Sequence, residues 1–104
     1  MNIYNFDKNL EFNWDEGNST KSYSKHGIIN SEAEECFFNF NIILPDEIHS
    51  QNEERYQVLG QTDGEKVLFI AFTIRDSEVR VISARPASQK EKKIYEQAKK
   101  NTTV

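Results

Sequence analysis

Two runs of strand-forming residues, 67–74 and 79–84, lie on either side of a short polar stretch at Asp76-Ser77. No other feature constrains the fold of this chain as tightly. The first run carries no charge, and both are rich in the branched and aromatic side chains that suit a pleated, half-buried surface. Two such runs joined by a polar pair predict an antiparallel hairpin. With the turn at Asp76-Ser77, Arg75 faces Glu78, Thr73 faces Arg80 and Phe72 faces Val81. Side chains alternate across a sheet. The pairing therefore sends Leu68, Ile70, Phe72, Ile74, Val79 and Val81 to a core face. Ala71, Thr73, Arg75, Arg80 and Ile82 take the other face, with Arg75 and Arg80 as diagonal neighbours. Two arginines backed by a core make an anion-binding surface. Asp-Ser lacks the glycine that two-residue turns favour, and a slip of one residue would exchange the two faces.

The flanking sequence supplies more elements. Residues 54–61 predict a further strand, joined to the hairpin through Asp63-Gly64, a strong turn signal. Residues 41–44 predict a short strand ended by Pro45-Asp46, and the polar stretch 46–52, containing His49, is a loop. A helix is expected from Glu16, capped by Asp15, to about His26, stopping at Gly27. Ser31 and Glu34 have capping-box spacing for a second helix, and Ala33, Cys36, Phe37 and Phe40 form its apolar stripe. Ser88 and Glu91 repeat that spacing for a third helix through about Lys99, with Ile94, Tyr95 and Ala98 facing the core. Either 3–6 or 10–14 can form a first strand. The result is an α+β chain with a small antiparallel meander flanked by helices.

At 104 residues the chain predicts a single domain over 1–104. No run approaches the ~18 apolar residues of a membrane span, and no signal peptide stands at the amino terminus, so a cytoplasmic protein is expected. Cys36 is the one cysteine, which excludes an internal disulfide. The net charge is −4, but residues 1–65 hold 13 acidic and 4 basic side chains while 66–104 hold 4 and 9. The halves carry −9 and +5, which concentrates an anion site in the second half.

No Gly-rich phosphate loop, His-Glu-x-x-His motif or cysteine–histidine zinc set is present, so no cofactor or metal is expected. Lys25-His26, Glu53-Glu54-Arg55, Arg75, Arg80 and Arg85 remain. These types suit metal-free cleavage of RNA, which needs a base for the 2′-hydroxyl, cations for the charged transition state and an acid for the leaving oxygen. Imidazole titrates near neutrality, and guanidinium matches phosphate geometry. Each residue also has a structural reading. His26 can be a cation at a helix terminus, Glu54 can pair with Arg55, and the arginines can be ordinary surface residues on strands.

The blocks Phe12-Asn13-Trp14-Asp15-Glu16-Gly17-Asn18, Lys21, Lys25-His26-Gly27-Ile28, Glu32-Ala33-Glu34-Glu35 with Phe37, and Glu53-Glu54-Arg55-Tyr56 with Gly60 occur in order. Thr73, Arg75, Arg80-Val81-Ile82-Ser83-Ala84-Arg85, and Glu91 to Tyr95-Glu96 follow them. This ordered set resembles the BrnT family, the toxins of bacterial type II toxin–antitoxin modules. The resemblance implies a RelE-like fold and a hydrolase, an endoribonuclease that inhibits translation. It also implies a BrnA-like antitoxin whose ribbon-helix-helix part binds the operon's own DNA. The site positions carried over are Lys25, His26, Glu54 and Arg80 as catalytic candidates, and Arg55, Arg75, Ser83 and Arg85 as RNA or phosphate binders. Ser22 departs from the pattern, standing where relatives often have asparagine; it is expected to loosen the helix presenting Lys25 and His26. A non-catalytic, antitoxin-binding repressor is the rival expectation.

Overall fold

In the computed structural model, which describes residues 9–102, the central hairpin has the pairing expected of it. β1 (Asn41–Pro45), β2 (Arg55–Gln61), β3 (Val67–Arg75) and β4 (Glu78–Pro86) are the strands, and α1 (Lys21–His26), α2 (Asn30–Phe38) and α3 (Gln89–Thr102) the helices. In the β3–β4 hairpin Arg75 lies opposite Glu78, Thr73 opposite Arg80 and Phe72 opposite Val81. Asp76 and Ser77 make the turn with φ of 53° and 65°. Both are left-handed, as in a type I′ turn, whose twist matches that of its strands. Beyond Phe72 the register slips, so that Ala71 faces Ser83, Ile70 faces Ala84 and Phe69 faces Arg85. Ile82 is thus the extra residue of a bulge. A one-residue slip exchanges faces. The bulge sends Ala84 into the core and brings Ser83 and Arg85 onto the face that carries Arg80. An unbroken ladder would have pointed both into the core.

The described strands form one antiparallel sheet in the order β1-β2-β3-β4. Between β2 and β3, Glu65 N–H donates to Thr62 O, and the left-handed residue is Glu65 at φ 69°, not Gly64. On one face α2 packs Ala33, Cys36 and Phe37 against Ile43, Val58, Leu68, Ile70, Phe72, Val81 and Ala84. Gly60 lets the helix come close: a Cβ there would sit 2.6 Å from that of Cys36. On the other face α3 contributes Tyr95 and Ala98 to a cluster with Ile42, Leu59, Val67 and Ala87. The Tyr95 hydroxyl donates to Phe40 O at 2.9 Å. Ser88 and Glu91 close the expected capping box at the start of α3.

Several local expectations are corrected. The first helix begins at Lys21 rather than Glu16, because the Asn18 side chain takes over the backbone before it. Its Oδ1 accepts Asp15 N–H, and its Nδ2 donates to Asn13 O and Val81 O. Such side-chain bonds offer the chain an alternative to helix. Asp15 accepts Gly17 N–H in a turn instead of capping the helix. At the start of α2 it is Glu32, not Glu34, that bonds back, taking Ile29 N–H at 3.2 Å. Glu34 instead accepts from Trp14 Nε1 at 2.7 Å. Ile74 is exposed at the hairpin tip, while Thr73 is buried with its hydroxyl on Glu54 O at 2.6 Å. Ile94 faces solvent in part. Of residues 10–14, Phe12 makes a parallel bridge to Val79 and no strand forms; residues 3–6 lie outside the described chain.

Candidate functional site

β4 is an edge strand, and its outward backbone groups need partners. Residues before α1 and within it supply them. Val79 exchanges bonds with Glu11 O and Asn13 N, Val81 O accepts Asn18 Nδ2, and Ala84 N–H donates to Ser22 Oγ at 2.8 Å. The step from 79 and 81 to 84 is the bulge seen from outside. Ser22 therefore ties α1 to β4 instead of loosening it. Lys25 and His26 occupy the last turn of α1 before Gly27, which is left-handed at φ 70°. Both are exposed, and among the described residues neither side chain has a hydrogen-bonding partner.

The register puts Arg55, Thr73 and Arg80 in one row across β2, β3 and β4, with adjacent strands about 4.8 Å apart. Gln57, Ala71 and Ser83 form the next row, and Leu59, Phe69 and Arg85 a third on the same face. Arg75 lies toward the turn from the first row. All five phosphate-binding candidates on strands, counting Arg80, thus share the α3 face.

They are held very differently. Arg80 Nη1 donates to Asn13 Oδ1 at 2.7 Å and Asp15 Oδ2 at 3.0 Å, and Nη2 to Asp15 Oδ1 at 2.9 Å. Gly17 closes this cradle, where a Cβ would lie 3.0 Å from Nη2. The Arg80 side chain is only 14% exposed. Its hydrogen bonds, with that from Gly17 N–H, hold the Asp15 carboxyl below the usual range. Arg85 lies 4.2 Å over the Phe69 ring and makes two parallel bonds to Glu91 at 2.8 and 2.9 Å. Those bonds lower Glu91 to about 2, against the effect of burial. Arg75 reaches Glu53 through one nitrogen at 3.2 Å, between two exposed side chains. Among the described residues the Arg55 guanidinium has no partner.

Glu54 is not brought to this face. Its carboxylate accepts the Tyr56 hydroxyl at 2.7 Å, and the Tyr56 ring stacks on Phe72 on the α2 side. Cys36 is fully buried, and burial pushes its thiol up to about 12, which removes it as a nucleophile. Among the described residues no three His, Cys, Asp or Glu side chains converge to hold a metal ion.

A group not singled out in the sequence lies beside Arg55. Asp46, almost buried, accepts His49 Nδ1 at 2.8 Å. Burial raises this carboxyl, and the bonds from the His49 ring and backbone N–H outweigh it, leaving Asp46 below its usual range. Ser50 Oγ donates to Asp46 O and accepts Arg55 N–H, while Asp46 N–H donates to Arg55 O. The loop so closed forms a cleft of about 460 Å³ lined by Ile48, His49, Gln51, Asn52, Glu53 and Arg55. The Asp-x-x-His spacing after Pro45 was the only signal in the sequence.

A four-stranded antiparallel sheet with helices on both faces and arginines gathered on one of them defines an α+β protein with an arginine-bearing sheet face. Residues 14–91 match the family model of BrnT, the ribonuclease toxin of type II toxin–antitoxin systems, and the chain belongs to that family. The match opens at Trp14, beside the Arg80 cradle, and closes at Glu91, the partner of Arg85. Membership implies a ribonuclease toxin with a cognate antitoxin. No curated protein matches the chain. Among the described residues no helix is long and apolar enough to cross a membrane.

Proposed function

We propose that this chain is a single-domain, active toxin that cleaves RNA without a metal ion and thereby inhibits translation in the cytoplasm. One observation carries the reading: sheet register and the Ile82 bulge collect Arg55, Arg75, Arg80, Ser83 and Arg85 on one face. The 2′-hydroxyl attacks the adjacent phosphate, and the 5′-oxygen leaves to give a 2′,3′-cyclic phosphate. Arg75 and Arg80 hold the phosphate, with Arg55 and Ser83 beside them, because donors aimed at developing charge lower the barrier most. Arg85 supports the α3 end of the surface through Phe69 and Glu91. Lys25 and His26 transfer protons from the exposed end of α1, and Glu54, occupied by Tyr56, is a reserve base.

The partner in this reading is a BrnA-like antitoxin whose ribbon-helix-helix part binds operator DNA; the toxin meets that DNA only through it. Acidic groups of the antitoxin face Arg55 and Arg75, and an apolar contact uses Phe38 and Ile74, each 47% exposed. The rival is a non-catalytic module that binds antitoxin and serves only repression. It is favoured by one fact: Arg75, Arg80 and Arg85 already have carboxylate partners. Growth separates the two. An active toxin arrests growth when expressed alone and is relieved by antitoxin, whereas a soluble, harmless wild type that binds antitoxin tightly is the rival. In vitro, cleavage should persist in excess EDTA; loss that Mg²⁺ restores would sink the metal-free mechanism.

A further inference from the structure

The proton-transfer groups named so far have a shared weakness. Lys25 and His26 project from a six-residue helix with no side-chain hydrogen bond to orient them among the described residues, and Glu54 faces away from the arginines. An efficient acid or base is held in one orientation, with its reactive atom free. His49 meets that description. The ionised Asp46 carboxylate can only accept, so Nδ1 carries the proton and Nε2 keeps its lone pair. Asp46 sits at the end of β1, tied through its backbone and Ser50 to the first residue of β2. His49, its side chain 60% exposed, lines the same cleft as Arg55, whose guanidinium has no partner among the described residues.

We propose that His49, oriented by Asp46, is a catalytic acid–base residue of the RNA cleavage. The inference rests on the ribonuclease reading above and adds a residue to it. A phosphate bound at the β2 end of the arginine row meets Arg55. His49 Nε2 then takes the proton of the adjacent 2′-hydroxyl as the bond from 2′-oxygen to phosphorus forms. The bond from phosphorus to the 5′-oxygen breaks, and that oxygen takes a proton from water. The imidazolium returns its proton to the hydroxide, so the enzyme ends as it began. Asp46 is a positioning residue that stabilises the imidazolium. Among the described residues the charged groups around His49 are Asp46, just after β1, Glu53 just before β2, Arg55 at its first position, and Arg75 through Glu53.

The test uses the purified full chain and a fluorescent single-stranded RNA oligonucleotide, with kcat/KM measured from pH 5 to 9. The 2′-deoxy version of that oligonucleotide, which lacks the nucleophile, reports binding alone. His49→Ala should lower kcat/KM by roughly 10²–10⁴-fold and abolish the acid limb of the profile. Binding of the 2′-deoxy oligonucleotide and the thermal midpoint should stay unchanged, and added imidazole should restore part of the rate. Asp46→Asn should lower kcat while leaving KM and binding of the 2′-deoxy oligonucleotide unchanged. If His49→Ala cleaves at the wild-type rate while Arg80→Ala does not, the His49 role falls and the ribonuclease reading stands. Equal losses of activity and thermal stability, with no rescue by imidazole, would make the dyad a loop anchor and overturn the role. A wild type that cleaves no RNA overturns both.

Discussion

Arg80 and Arg55 stand at opposite ends of one row, two strands apart, and the protein treats them in opposite ways. Arg80 spends three donors on Asn13 and Asp15, in a cradle that Gly17 closes and Asn18 stitches to β4. Arg55, at an open cleft, has no guanidinium partner among the described residues, while its backbone is clamped by Ser50 and Asp46. One end is organised through the side chain, the other through the main chain. In the proposed site, the first is fixed in place before substrate arrives, and the second gives up no internal carboxylate to bind it. A phosphate site needs both qualities, since fixed donors cost no reorganisation and free ones need not exchange an internal carboxylate for the ligand.

Removing either arginine tests this most directly. Arg80→Ala and Arg55→Ala should each lower cleavage of single-stranded RNA by ~10²–10³-fold, about 3–4 kcal/mol of transition-state stabilisation. Urea unfolding should then separate them. Arg80→Ala strips the cradle of its donor and should cost about 1–3 kcal/mol, whereas Arg55→Ala should fall within about 0.5 kcal/mol of wild type. Equal stabilities would mean that the cradle holds nothing.

The hubs of the two ends come next. Asn18, 5% exposed, makes three bonds to backbone, and Asn18→Ala should destabilise by about 2–3 kcal/mol. Ser50→Ala should cost about 1 kcal/mol by the same measurement. A reversed order would move the rigid end of the row to β2.

Acid examines the third pair, Arg85–Glu91. Glu91 is lowered from 4.5 to about 2, so the stability it contributes is complete above pH 4.5 and is lost as pH falls toward 2. Arg85 is 41% exposed, and solvent screening reduces that contribution to about 1 kcal/mol. Urea midpoints at pH 6, 4, 3 and 2 should show the fall, and Glu91→Gln should shrink it. Gly17→Ala is the smallest change, because the new methyl meets only side-chain ends, Arg80 Nη2 at 3.0 Å and Asp15 Oδ1 at 3.1 Å. It should cost about 0.5–1 kcal/mol, visible as a small drop in the thermal midpoint.

Much of the fold was legible where local chemistry and tertiary demand agree. Phe72 opposite Val81 followed from alternation and a two-residue turn, although Ser77 is a poor left-handed residue. Ser88 and Glu91 marked the start of α3 correctly, because a capping box closes within four residues. The same spacing misled at Ser31-Glu34, where the Trp14 indole, 20 residues away, claims the second carboxylate. The helix expected from Glu16 failed for a similar reason: Asn18 bonds Val81, 63 residues on.

The candidate site divides along the same line. Alternation alone sets Thr73, Arg75 and Arg80 on one face, because a period of two needs no knowledge of the rest of the chain. Residue types alone point to anion chemistry, and the ordered blocks point to BrnT. Only the tertiary structure moves Ser83 and Arg85 onto that face, since the bulge at Ile82 answers to packing on both sides of the sheet. It also turns Glu54 to Tyr56, joins Asp15 to Arg80 across 65 residues, and sets His49 beside Arg55. These are contacts between segments distant in sequence or on different faces of the sheet. Their energies depend on distance and burial, which no local pattern of residues encodes.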